Sequence, residues 1–138
     1  MVIKQISVFL ENVSGRLAEV TKILAAGQVN LRAMTIADTA DFGILRIIAA
    51  NPDKAVEILS QGGFMAKQTD VLAVEVEDRP GGLAHVMEVF SKNKVNIEYM
   101  YASLERNQDK AIIIIKVEEV QKAIRIVEEN GLKPAKTF

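Results

Sequence analysis

The feature that most constrains this 138-residue chain is that it repeats itself. Displaced by 66 positions, nine of the 27 residues from Val8 to Met34 recur: Val8/Val74, Glu11/Glu77, Gly15/Gly81, Leu17/Leu83, Ala18/Ala84, Val20/Val86, Val29/Val95, Asn30/Asn96 and Met34/Met100. Typical residue frequencies would give about two. A displacement of 68 then recovers Ile44/Ile112, Lys54/Lys122, Ala55/Ala123 and Gly63/Gly131. The change of two falls around 36–43 and 102–111, where a hairpin loop would absorb it. Coincidence among apolar positions does not account for matched glycines and asparagines. The chain therefore reads as two copies of one unit, expected at 1–68 and 69–138.

Each copy carries the same run of elements. Residues 3–10 and 71–77 are β-rich and partly alternating, as half-buried strands are. A turn follows, Asn12-Val13-Ser14-Gly15 or Asp78-Arg79-Pro80-Gly81. Next comes a helix whose apolar positions lie three and four apart: Leu17, Val20, Leu24 and Leu83, Val86, Met87, Phe90. Pro80 suits a helix start, and Gly27 and Asn93 suit helix exits. The spacing then predicts strands at about 29–38 with 43–50, and 95–104 with 110–117. Second helices are expected at about 53–61 and 118–129, with Pro52 just ahead of the first; Gly62-Gly63 and Asn130-Gly131 end them. Short last strands are expected near Phe64–Lys67 and Leu132–Lys136. The order βαββαβ closes most simply as a four-stranded antiparallel sheet with both helices on one face, an α+β, ferredoxin-like arrangement. A unit of about 65–70 residues buries a thin core, so pairing of copies would help stability.

Composition removes several kinds of function. There is no cysteine, so disulfides, thiolate nucleophiles and Cys-based metal sites are excluded. With 17 basic and 18 acidic residues, net charge −1, an electrostatic grip on nucleic acid or an anionic membrane is not expected. RNA-binding sheets of similar topology stack bases on aromatics, whereas Leu45-Arg46-Ile47-Ile48 and Ile112–Ile115 are mainly aliphatic and aromatics make up only 5% of the chain. Tyr99 and Tyr101, two apart on one strand, share a face and are most simply packing residues. Met34 and Met100 read as core fillers. The lone His85 has no cluster of ligands or triad partners around it, so no metal and no catalytic residue is expected, and it reads as a surface or rim residue. Phosphate-cradling glycine motifs are absent. Met1-Val2-Ile3-Lys4-Gln5 does not open a signal peptide, and the apolar run 111–115 is too short to span a bilayer, so a cytoplasmic protein is expected.

What remains suggestive is the first turn. A helix N-terminus presents free N–H groups and the positive end of the helix dipole, which attract a carboxylate. Gly15 or Gly81 lets a ligand approach closely. Asn12 or Asp78 offers an oxygen to an ammonium group, and Asn30 or Asn96, entering the next strand, offers both a donor and an acceptor. Together these groups complement a free amino acid. The same residues also suit plain capping and turn geometry.

The runs Glu11-Asn12-Val13-Ser14-Gly15-Arg16-Leu17-Ala18 and Glu77-Asp78-Arg79-Pro80-Gly81-Gly82-Leu83-Ala84 resemble the opening of ACT domains. Gly27-Gln28-Val29-Asn30-Leu31 and Lys94-Val95-Asn96-Ile97 resemble their second-strand entry, so the resemblance covers nearly the whole chain twice. It implies a tandem ACT protein that binds a small α-amino acid at an interface between ACT domains and regulates a metabolic enzyme or transporter in trans. It further implies that Asn12 and Asp78 hold the ligand's polar head groups, that Gly15 and Gly81 let backbone N–H groups reach its carboxylate, and that Ser14, Arg16, Leu17, Pro80, Gly82 and Leu83 belong to the same ligand-binding turns. Asn30 and Asn96 would contact it from the neighbouring domain or copy. No cofactor is implied, and a homodimer is. Val13-Ser14 stands where the second copy has Arg79-Pro80, so the first turn is expected to be looser. The hairpin at Asp41-Phe42-Gly43 is a further candidate lining. Two other classes fit the same chain: a ligand-free assembly module pairing through sheet edges, and a small enzyme whose catalytic constellation is not evident.

Overall fold

A computed structural model describes residues 2–38 and 40–135. In chain order the elements are β1 (Val2–Glu11), α1 (Arg16–Ala26), β2 (Leu31–Asp38), β3 (Phe42–Ala49), α2 (Pro52–Gln61), β4 (Met65–Glu77), α3 (Gly82–Lys92), β5 (Tyr99–Asn107), β6 (Lys110–Lys116), α4 (Val120–Glu129) and β7 (Lys133–Pro134). They form two compact units. Lys4–Thr69 make one; the chain from Asp70 onward makes the other, joined by the first residues up to Ile3.

In the unit Lys4–Thr69, β1 and β2 both pair antiparallel with β3, and β1 also pairs with β4, so the strands run in the order β2-β3-β1-β4. The register sets Ile6 opposite Ile47 and Val8 opposite Leu45. Because strand side chains alternate between faces, Ile6, Val8 and Leu10 share one face with Leu45, Ile47 and Ala49. Those residues pack against Val20 and Leu24 of α1 and Ala55 and Leu59 of α2. Both helices therefore cover the same sheet face.

The other unit repeats the plan in the order β5-β6-β4-β7. Leu72, Val74 and Val76 of β4 and Ile115 of β6 meet Val86 and Phe90 of α3 and Ala123 and Val127 of α4. Helix ends follow the residues present. Asn51 caps α2 by accepting from the Lys54 N–H at 3.2 Å, with Pro52 in the first helical position, where its missing N–H costs nothing. The Asn93 and Asn130 side-chain amides donate to the carbonyls of Val89 and Ile126 at 2.8 and 2.7 Å, closing α3 and α4.

Several boundaries differ from the sequence-based expectation. The strands expected near 64–67 and at 71–77 are one strand, Met65–Glu77, because Gln68-Thr69-Asp70 contains no glycine or proline to break it. The second and fifth strands begin at Leu31 and Tyr99, later than 29 and 95, since Gln28 and Lys94 take positive φ values of 58° and 56° and the chain must turn there before extending. Helix α4 starts at Val120 rather than 118. Pro80 lies in the turn ahead of α3, not in the helix. The last strand is only Lys133–Pro134, and the expected end at Lys136 lies outside the described residues. Met34 and Met100 are not core fillers; each is 39% exposed, on strands that close their unit's order beyond the reach of the helices. Tyr101 is buried. Among the described residues no helix is long and apolar enough to cross a membrane.

Phe90, 1% exposed between sheet and helices, is the largest of the fully buried side chains. Phe90→Ala is expected to cost about 3–5 kcal/mol in urea unfolding, by transfer loss plus the cavity left behind. Leu104→Ala, at a position 69% exposed, should stay within about 0.5 kcal/mol of the parent.

Candidate functional site

At two places the chain passes from strand to helix through a left-handed glycine. Gly15 has φ 91° and ψ −15°; Gly81 has φ 88° and ψ −13°. Each is the N-cap of its helix, and neither helix has a side-chain cap there. In an ordinary cap a Ser, Thr, Asp or Asn oxygen would accept from the second or third helical N–H. Here the N–H groups of Leu17 and Ala18, and of Leu83 and Ala84, have no acceptor among the described residues. The next N–H of each helix is taken: Glu19 donates to Gly15 O and His85 to Gly81 O, both at 3.0 Å. Two donors and the positive end of a helix dipole thus stand open at each turn.

The turns are anchored alike. The Asn12 N–H donates to Asp41 O at 2.9 Å and the Asp78 N–H to Asp109 O at 3.1 Å, which ties each turn to the hairpin of its own unit. They differ in tightness. Gly82 donates to Arg79 O at 3.0 Å, whereas Arg16 reaches Val13 O only at 3.4 Å. A Cβ at position 82 would stand 2.1 Å from the Glu77 carbonyl oxygen, so no side chain fits there, while its counterpart in the first copy is an arginine.

A cavity of about 400 Å³ opens beside the second turn, lined by Pro80, Gly81, Gly82, His85, Lys110 and neighbouring residues. A smaller one, about 250 Å³, occupies the equivalent place in the first copy. The linings correspond through the repeat, with contrasting chemistry: Glu75, His85, Lys110 and Lys133 of the second stand where the first has Phe9, Glu19, Phe42 and Met65. Arg16 crosses the first cavity. Its Nη1 donates to Glu19 Oε2 at 3.1 Å and its Nη2 to Glu11 Oε1 at 3.5 Å. In the second copy Glu77 pairs instead with Arg79, on the strand side of the turn. All these side chains are at least a third exposed. Each pair is therefore worth only about 0.2–1 kcal/mol, and its weight is positional.

Asn12, Ser14, Gly15 and Arg16 gather at one turn, and Asp78, Pro80, Gly81 and Gly82 at the other. Leu17 and Leu83, on the apolar stripe of each helix, are 42% and 38% exposed in the first turn. The asparagines do not join them within a unit. Asn30 O accepts from the Ala50 N–H at the far end of β3, whereas the first turn is tied to Asp41 at its near end. The strand between has eight residues, so Asp41 and Ala50 are nine steps apart, about 30 Å at about 3.3 Å per residue. Asn96 lines a separate groove of about 530 Å³ with Lys94, Lys116 and Glu119. Within its own unit the strand asparagine lies at the opposite end of the sheet from the glycine turn. Phe42 and His85 do line the cavities. Glu75, Gly131 and Lys133 were missed, and the one signal for them was the recurrence of Gly63 as Gly131, two left-handed glycines that turn the chain after α2 and α4.

A repeated βαββαβ unit with a left-handed glycine at each first helix is the frame against which relatives can be judged. The sequence profile of the ACT domain pair matches residues 1–136. The chain belongs to the ACT domain pair family. Among solved structures, this ACT domain pair is similar to protein BT0572 from Bacteroides thetaiotaomicron, at 43% identity over 98% of this chain and 92% of that one, with a TM-score of 0.91. It also resembles the regulatory subunits of aspartate kinase from Thermus thermophilus, in a ligand-free form, and from Thermus flavus. For the first the identity is 16%, the coverage 93% and 92% of the two chains and the TM-score 0.66; for the second they are 18%, 91% and 90%, and 0.63. At these identities the likeness to the kinase subunits is one of fold. No curated protein matches the sequence. Among the described residues of the ACT pair, no group of three or more His, Cys, Asp and Glu side chains is placed to hold a metal.

Gly81→Ala places a Cβ in a backbone conformation that disfavours it, at about 1–2 kcal/mol. Thermal or urea unfolding should show a loss of that size for Gly81→Ala and for Gly15→Ala, and a smaller loss for Gly81→Asn, since asparagine tolerates the left-handed region.

Proposed function

We propose that this ACT domain pair is a non-catalytic regulator that binds a small α-amino acid at its glycine turns and conveys that state to a metabolic enzyme, transporter or other partner in trans. The observation that carries the reading is the pair of uncapped helix N–H groups beside a cavity, in a family member. A carboxylate is the ligand group that such donors and the helix dipole favour. Asn12 or Asp78 would receive the ammonium group, and Asn30 or Asn96 would be brought in by a neighbouring ACT domain. Binding to one arrangement of domains more tightly than to another is what would turn occupancy into a signal. A homodimer and a cytoplasmic setting belong to the same proposal, with no cofactor. The polar walls of the larger cavity favour a ligand with a polar side chain over a bulky aliphatic one.

A second reading has its own observation. Phe9, Phe42 and Met65 around the first cavity are 48%, 56% and 70% exposed, an apolar surface suited to ligand-free assembly with another copy.

Thermal denaturation with each standard amino acid at millimolar concentration separates the two. At about 100 times its Kd a specific ligand adds about 2.7 kcal/mol and raises the melting temperature, and the corresponding α-amide, lacking the carboxylate, should not. If no amino acid shifts the transition while Phe42→Lys dissociates an oligomer in sedimentation, assembly is the better account.

A further inference from the structure

We infer that the two turns are not equivalent sites: Arg16 straps the first one shut, and each chain takes one ligand, beside Gly81. This rests on the amino-acid-binding reading above and narrows it.

Displacement by 66 carries Glu11, Arg16 and Glu19 onto Glu77, Gly82 and His85. In the second copy position 82 has no side chain, and the Glu77 carbonyl leaves no room for one. The Glu77 carboxylate is drawn to Arg79, and no ion pair of Glu77 with His85 spans the cavity among the described residues. In the first copy the guanidinium bridges from Glu11, at the end of β1, to Glu19, one turn into α1, and all three residues line the cavity. The cavity is smaller there, about 250 Å³ against about 400 Å³.

Charge acts in the same direction as bulk. An incoming carboxylate at the first turn must displace Glu11 and Glu19 from Arg16 and then lie beside both, and like charges at close range oppose it. The second cavity also has two carboxylates, Glu75 and Glu77, but sets Arg79, Lys110 and Lys133 against them, where the first has Arg16 alone against Glu11 and Glu19. The ion pairs add little stability because they are exposed. Arg16 therefore determines which copy binds, and does not hold the fold together.

The test is stoichiometry, by isothermal titration of the full chain with whichever standard amino acid most raises its melting temperature. The expected value is one per chain. Arg16→Gly, which restores the glycine of the second copy, should raise it to two. Ala84→Pro removes one of the open N–H donors at a first-turn position where proline is tolerated, and should abolish binding with the melting temperature retained. Two ligands per chain in the parent, or binding that survives Ala84→Pro, overturns the inference and leaves the amino-acid reading standing. One ligand per chain in Arg16→Gly shows that Arg16 is not what closes the first turn, which also overturns it. No binding by any amino acid to the parent overturns the amino-acid reading itself, and the inference with it.

Discussion

Everything distinctive about this molecule depends on a backbone requirement at the junction of first strand and first helix. A residue with φ near +90° is most readily glycine, and glycine has no oxygen with which to cap the helix it begins. The turn that redirects the chain over the sheet is thus the same turn that leaves two N–H groups unsatisfied. Helix α2 shows the alternative: it begins at Asn51-Pro52 and is capped by the Asn51 side chain, whereas α4 has no side-chain cap. The first βαββαβ unit contains a sealed helix start and an open one, and a cavity lies beside the open one. The glycine turn with its uncapped helix start is present twice.

Duplication preserves the frame and releases its contents. The backbone bonds of the two turns match one for one, down to the tie between turn and hairpin. The side chains facing the cavities share almost nothing except the glutamate at 11 and 77 and the glycine at 63 and 131. Glycine and strand pattern are demanded by the fold, whereas cavity walls answer to whatever occupies them. A cavity crossed by Arg16 between two glutamates and one walled by Lys110 and Lys133 stand on the same frame. Regulation needs one ligand-sensitive arrangement, and a second copy that contributes surface without occupancy is compatible with that.

Much of this was legible in the sequence because it is local. Period-two and period-three-to-four patterns, Gly15 and Gly81, and the recurrence itself mark the units, and the core residues Ile6, Val8, Leu72 and Val74 lie two apart on their strands, in keeping with the alternation. Errors arose where a local rule had a distant competitor. Val29-Asn30 and Val95-Asn96 look like strand, but the preceding positive-φ residues delay extension to Leu31 and Tyr99. Met34 and Met100 look like core until the strand order puts them beyond both helices. The cavity walls were the least visible part. Glu75 is separated from Lys133 by most of a module, and only register and the β4–β7 pairing bring them together. The departure read from the sequence is Val13-Ser14 for Arg79-Pro80; the contrast of Arg16 with Gly82 gains its meaning only from the Glu77 carbonyl.

The central claim is that the open N–H groups at the helix start bind a carboxylate. Nitrogen-15 NMR of the amides during titration with the amino acid that stabilises the protein addresses it directly. The account predicts that Leu83 and Ala84 shift downfield together, saturate with the same constant, and exchange with solvent more slowly when the ligand is bound. Binding that leaves both amides unmoved while perturbing Lys94, Asn96 and Lys116 at the other end of the sheet would contradict it.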